Sequence, residues 1–243
     1  MKKGSSKSRR HRADAGCGGL EFEVRRTQRL ATVAMLRTGR TPLQVVAVAD
    51  SAAVVAEEAI RNAAARQPPR PPLACRADCA WCCHKMVGTT VPEVIRIAHF
   101  LRDNLSAEEF AAARERVIRV DDQRRALKQD RWAAARLPCP LLVEERCSAY
   151  PVRPVTCRGF NSSDARQCER SVTVRDAVAI PVYAPQHRLA TFVLDGLRAG
   201  LDEAGLKGEL LELTAALRIA LTVPEAVGRW LNGEPVFAPA KFP

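Results

Sequence analysis

Eight of the nine cysteines in this 243-residue chain lie between Cys75 and Cys168, and no other feature constrains its folding so strongly. Four fall in one run, Cys75-Arg-Ala-Asp-Cys79-Ala-Trp-Cys82-Cys83, and the rest follow as Cys139, Cys147, Cys157 and Cys168. Thiolates are strong, soft ligands for zinc, iron and iron–sulfur clusters, and short spacings let one backbone turn aim several sulfurs at one point. Burial as a small apolar residue is the rival explanation for any single cysteine. Four in nine residues point to metal for the group. The candidate ligands are therefore Cys75, Cys79, Cys82, Cys83, Cys139, Cys147, Cys157 and Cys168. The candidate cofactor is zinc or iron, with a [4Fe–4S] cluster among the iron options.

Disulfides are the alternative use of so many thiols, and the compartment decides between them. The basic start Met1–Arg12 is followed by Ala13–Val24, which has no continuous apolar stretch of the kind a secretory signal needs. No run approaches the ~18 apolar residues of a membrane span; Val45–Ile60 is interrupted by Asp50, Glu57 and Glu58. These features predict a cytoplasmic protein with reduced thiols and no membrane partner. The formal charge of +11 suggests nucleic acid, yet six of the Lys and Arg residues sit in the first 12 positions. Eight thiolates around two Zn²⁺ would also bring the formal charge to about +7. Aromatic residues make up 5% of the chain, too few for base-stacking platforms. A zinc protein associating with nucleic acid is the weakest reading.

The pattern predicts a mostly α-helical fold: a cysteine-rich, metal-centred domain with a short β-hairpin and flanking helices. Residues 1–18 read as a flexible basic tail, 19–66 as an N-terminal helical segment, 73–170 as the cysteine-cluster domain and 185–235 as a C-terminal helical segment. Thr41-Pro-Leu-Gln44 is a capping box with Pro at the first helical position. It opens a helix to about Arg66 with Leu43, Val46, Ala49 and Val54 inward, and Gln67–Pro72 ends it. Thr90-Val-Pro-Glu93 opens another through about Asn104, with Val94, Ile95, Ala98 and Leu101 inward. Ser106 caps a third, with Phe110, Ala113, Val117 and Val120 at helical spacing. Cys139–Val143 and Arg146–Tyr150 read as a hairpin carrying one cysteine on each arm. Leu189, Phe192, Val193, Leu197 and Leu201 mark a helix ended by Gly205; Leu210, Leu213, Leu217 and Leu221 mark the next. Thr222-Val-Pro-Glu225 predicts a last short helix to Trp230. If Cys75–Cys83 is helical, Cys75, Cys79 and Cys82 share one face, with Cys83 about 100° around it.

Cys-x3-Cys-x2-Cys-Cys, the Thr-Pro-Glu-like helix start, Cys-Pro-Leu-Leu, and Cys147-x2-Tyr150-x2-Arg153-Pro154-x2-Cys157-Arg158 together resemble a cysteine-cluster family, the CxxCxxCC or YkgJ type. Seven cysteines and the Tyr-x2-Arg-Pro linker agree in order and spacing, over roughly Cys75 to Cys168. The resemblance implies zinc or iron chelation. That family includes flagellin lysine N-methylases, so it also implies an alternative: an iron–sulfur-dependent methylase that uses S-adenosylmethionine (SAM) and acts on a protein substrate. Cys75-x3-Cys79-x-Trp81-Cys82 is similar to the radical S-adenosylmethionine signature as well, but the chain lacks the alternating strands and helices of that barrel.

The remaining signals are minor. His84 is a candidate support for the thiols, His99 flanks an apolar helical face, and His11 and His187 have no catalytic company. Arg153 and Arg158 flank Cys157 and are placed to offset thiolate charge. Tyr150 is expected to be packed, with its hydroxyl hydrogen-bonded. Cys17, between glycines, is expected to be free and exposed. The sequence offers no Gly-rich phosphate loop and no Ser-His-Asp set in a recognisable context.

Overall fold

Local signals start several of the helices. The Thr41 hydroxyl accepts from the Gln44 amide at 3.3 Å, and the Gln44 side chain accepts from the Thr41 amide at 3.0 Å. Two amides that a helix start would strand are thereby satisfied. The computed structural model describes the backbone of residues 7–243 apart from 77, 175 and 176, and side chains from residue 19 onward except at 133. Among the described residues the α-helices are α1 (Lys7–Arg37), α2 (Pro42–Arg66), α3 (Val91–Asn104), α4 (Ala107–Arg125), α5 (Val155–Gly159), α6 (Ala165–Thr173), α7 (Ala184–Glu203), α8 (Leu213–Thr222) and α9 (Ala226–Leu231). Among the described residues there are also short 3₁₀ turns and four two-residue strands: β1 (Gly88–Thr89), β2 (Leu142–Val143), β3 (Arg146–Cys147) and β4 (Leu211–Glu212). The fold is mostly α-helical, as the sequence predicts. No helix among the described residues is long and apolar enough to cross a membrane. The expected flexible tail falls on residues 1–6, outside the described residues, and on the first turns of α1, whose side chains are also outside them.

Helices α1, α2 and α7 pack against one another, with α1 and α7 in the most extensive contact. Their close approach depends on glycine: a Cβ at Gly200 would stand 2.6 Å from Thr32 Cβ and 2.8 Å from the Arg29 carbonyl oxygen. The buried stripe of α2 is Val45, Val48, Ala49, Ala52, Ala53, Ala56, Ala59 and Ala63. This corrects the expected face: Ala49 is buried, but Leu43 and Val54 are 74% and 52% exposed. Alanine, the smallest apolar side chain, carries most of the contact and lets neighbouring backbones come close. Leucine at the helix start lies outside that stripe.

Helix α8 packs on both α3 and α4. The buried Asp121 carboxylate on α4 accepts from Arg218 on α8 at 2.9 Å and from Arg125 at 2.7 Å. Strands β1 and β4 pair antiparallel, Gly88 with Glu212 and Thr89 with Leu211. The expected helix through Leu210 therefore begins later, at Leu213. Leu211 and Glu212 are taken by the strand pairing, and the Glu212 carboxylate accepts from the Ala215 amide at 2.9 Å to cap α8. The second Thr-Val-Pro-Glu also departs from expectation. Thr222 closes α8, its hydroxyl donating to the Arg218 carbonyl at 2.8 Å. Glu225, with φ of 52°, precedes α9 without a side-chain cap. One continuous core runs through these elements, with Ile95, Ile97, Leu101, Leu189, Leu197, Leu201, Leu211 and Leu217 fully buried. Each such side chain contributes about 1.5–3 kcal/mol by leaving water.

Candidate metal centre

The first cysteine segment is mostly irregular. Among its described residues only Trp81–His84 form a 3₁₀ turn, so the single helical face considered for Cys75, Cys79 and Cys82 is not formed. The prolines after Gln67 end α2 in a segment without regular structure, and the Ala74 amide donates to the Ser162 carbonyl at 2.8 Å. Backbone groups that a helix would use internally are spent on a distant loop. That loop also reaches Cys75 itself, whose sulfur accepts from the Ser162 amide at 3.2 Å. Asp164, just beyond, caps α6 through the amides of Arg166 and Gln167 at 2.9 and 3.3 Å. Helix α6 carries Cys168 and packs against the Trp81–His84 turn.

A second set of contacts brings in the hairpin and α5. The Cys139 amide donates to the Cys83 carbonyl at 2.7 Å, joining the two cysteine segments directly. Strands β2 and β3 pair Leu142 with Cys147. Cys147 thus lies on a strand, as predicted, while Cys139 lies three residues before the other one. Cys157 sits on α5, which is fixed at two points: the Thr156 hydroxyl donates to the Gly88 carbonyl at 2.6 Å, and the Val155 amide to Glu93 Oε1 at 2.7 Å. Glu93 Oε2 meanwhile accepts from Thr89 Oγ1, the Thr90 amide and Thr90 Oγ1 at 3.2, 2.9 and 2.9 Å. The sequence marks Glu93 as a cap for α3; its second role, holding the segment that carries Cys157, has no local signal.

All eight candidate cysteines line two adjoining cavities, and all eight are free thiols. The first cavity, about 180 Å³, takes Cys75, Cys79, Cys82, Cys83, Cys139, Cys147 and Cys157. The second, about 310 Å³, takes Cys75, Cys79, Cys82 and Cys168, with an apolar wall that includes Trp81, Phe160, Ile180 and Val182. Among the described residues, no three Cys, His, Asp or Glu side chains are grouped so that they could hold a metal ion as they stand. The sulfurs line walls and do not meet at one point. Cys17 and His11 lie outside the residues whose side chains are described.

Electrostatics distinguishes the thiols. A hydrogen bond with the Cys83 thiol holds Cys82 below the usual cysteine range, helped by the Arg153 guanidinium, and the same bond keeps the Cys83 proton in place. Burial pushes Cys139 up to about 12 and Cys157 well above its ordinary value. Burial also raises Cys75, Cys79 and Cys147. Desolvation penalises an isolated thiolate, and a bound cation would reverse that penalty.

Two expectations about neighbouring side chains change. Tyr150 is exposed, not packed inside, and the Arg153 guanidinium carbon stands 3.9 Å above its ring centroid. This is a cation–π arrangement at the cavity wall. Arg158 is buried and donates to the Pro151 and Arg153 carbonyls at 2.7 and 3.1 Å while pairing with Glu57 of α2. It clamps α5 to α2. His84 is half-buried, its Nδ1 3.3 Å from the Arg136 carbonyl oxygen, and His187 lines the second cavity.

Neither the curated proteins nor the solved structures include a match to this chain. Residues 74–176, under half of the chain but spanning all eight candidate cysteines, match the CxxCxxCC family, described as "Putative zinc- or iron-chelating domain".

Proposed function

We propose that this protein is a metal-chelating cysteine-cluster module, with Cys75, Cys79, Cys82, Cys83, Cys139, Cys147, Cys157 and Cys168 as thiolate ligands to zinc or iron. One observation carries the reading: eight thiols drawn from an irregular loop, a hairpin and two short helices line two adjoining cavities. The donor set fits either metal by chemistry, since both accept several thiolates. The fit is one of composition and proximity: the sulfurs line the cavity walls and do not converge on one point. Binding would draw them together and release thiol protons, so ligation would contribute directly to the stability of the segment. Reduced thiols suit a reducing compartment, which supports placing the protein in the cytoplasm.

Structural or redox use of the metal is the function this arrangement supports best. The methylase and nucleic-acid alternatives gain no support from the family match, whose description concerns chelation alone. Anaerobic purification of the full chain followed by metal analysis tests the proposal. Zinc or iron bound in stoichiometric amounts is the expected result, with colour and acid-labile sulfide identifying an iron–sulfur cluster. Cys157→Ser should lower metal content and thermal stability together. A chain that neither retains nor takes up either metal would overturn the reading.

A further inference from the structure

The two cavities divide the thiols. Cys168 lines only the second cavity, whereas Cys83, Cys139, Cys147 and Cys157 line only the first. Cys75, Cys79 and Cys82 stand between, on the walls of both. Backbone contacts draw the same line independently. Cys75 is tied to Ser162 at the approach to α6, and α6 carries Cys168 to the Trp81–His84 turn. On the other side, the Cys83 carbonyl accepts from the Cys139 amide, and the hairpin then presents Cys147. The division falls between two adjacent residues, Cys82 and Cys83. The thiols of these two residues are hydrogen-bonded to each other, so the two groups adjoin at this pair.

Resting on the metal-chelating reading, we propose that the eight thiols form two separate four-thiolate centres: one of Cys75, Cys79, Cys82 and Cys168, the other of Cys83, Cys139, Cys147 and Cys157. Four thiolates complete a tetrahedral site, and each set supplies that number. Cys82 belongs with the first set because Cys75, Cys79 and Cys168 need a fourth ligand, and Cys82 is the remaining thiol that lines their cavity. The Cys82–Cys83 peptide joins the centres, and each centre ties the first cysteine segment to a different distant element. One centre holds α6; the other holds the hairpin and α5.

Cadmium-113 is the probe, because its resonance position reports the number of coordinating sulfurs and its uptake does not depend on any activity. The full chain, stripped of metal and reloaded anaerobically, should bind two cadmium ions and show two resonances in the four-sulfur range. Cys168→Ser should move or remove one resonance and leave the other; Cys157→Ser should do the reverse. One cadmium per chain in the unsubstituted protein would overturn the two-centre proposal and leave the chelating reading standing. So would simultaneous loss of both resonances in each variant while the helical circular dichroism persists. Binding of no cadmium would overturn both. The stoichiometry of the unsubstituted chain decides even if a variant fails to fold.

Discussion

Glu93 shows how much one buried carboxylate can organise. Its two oxygens accept from donors on two distant segments of chain, Thr89–Thr90 and Val155. Burial raises its pKa, against the lowering effect of these hydrogen bonds, with Val155 the strongest of them. Glutamine keeps only one acceptor oxygen, so Glu93→Gln leaves either the α3 start or the Val155 amide unpaired. The expected loss is roughly 1–3 kcal/mol of unfolding free energy, measured by denaturant titration of the metal-free chain. The side-chain type and spacing of Glu93 mark the cap from sequence, because a capping box closes within four residues. The partner 62 positions later is invisible for the opposite reason.

At the level of elements, one tetrapeptide behaves in two ways. Thr90-Val-Pro-Glu93 opens α3, whereas Thr222-Val-Pro-Glu225 ends α8 and leads into α9 without a side-chain cap. Thr90→Ala is therefore expected to cost about 1 kcal/mol or more, and Thr222→Ala to stay within about 0.5 kcal/mol. Parallel thermal or urea unfolding of the two variants checks the difference; equal losses would contradict it. The contrast explains which helices were legible. Thr41, Thr90 and Ser106 each follow a break, so the chain is free to start a helix there. Thr222 arrives while α8 is still running, and tertiary packing of α8 outweighs the local signal. Likewise, Leu43 and Val54 are more apolar than alanine, but the narrow space beside α1, α3 and α7 selects the alanine stripe of α2.

Across the whole molecule, the close crossing of α1 and α7 supports the layer on which α5 rests. Gly200→Ala would gain up to about 1 kcal/mol of helix propensity. It would also force a methyl group against Thr32 and the Arg29 carbonyl, a clash costing about 1–3 kcal/mol. The net expectation is destabilisation, seen as a lower denaturation midpoint with metal stoichiometry preserved; a higher midpoint would show that the helices can separate freely. The cysteine set was legible because thiols cluster in sequence. The elements that gather them were not, because their contacts join residues far apart. One of those contacts, the β1–β4 clasp, is flanked by Val87 and Leu213, which both belong to the wall of the first cavity. Synthesis runs from the N-terminus, so all eight thiols precede Leu213 in the growing chain. The nascent chain thus passes through an interval in which all eight thiols have been made and one wall of the first cavity has not.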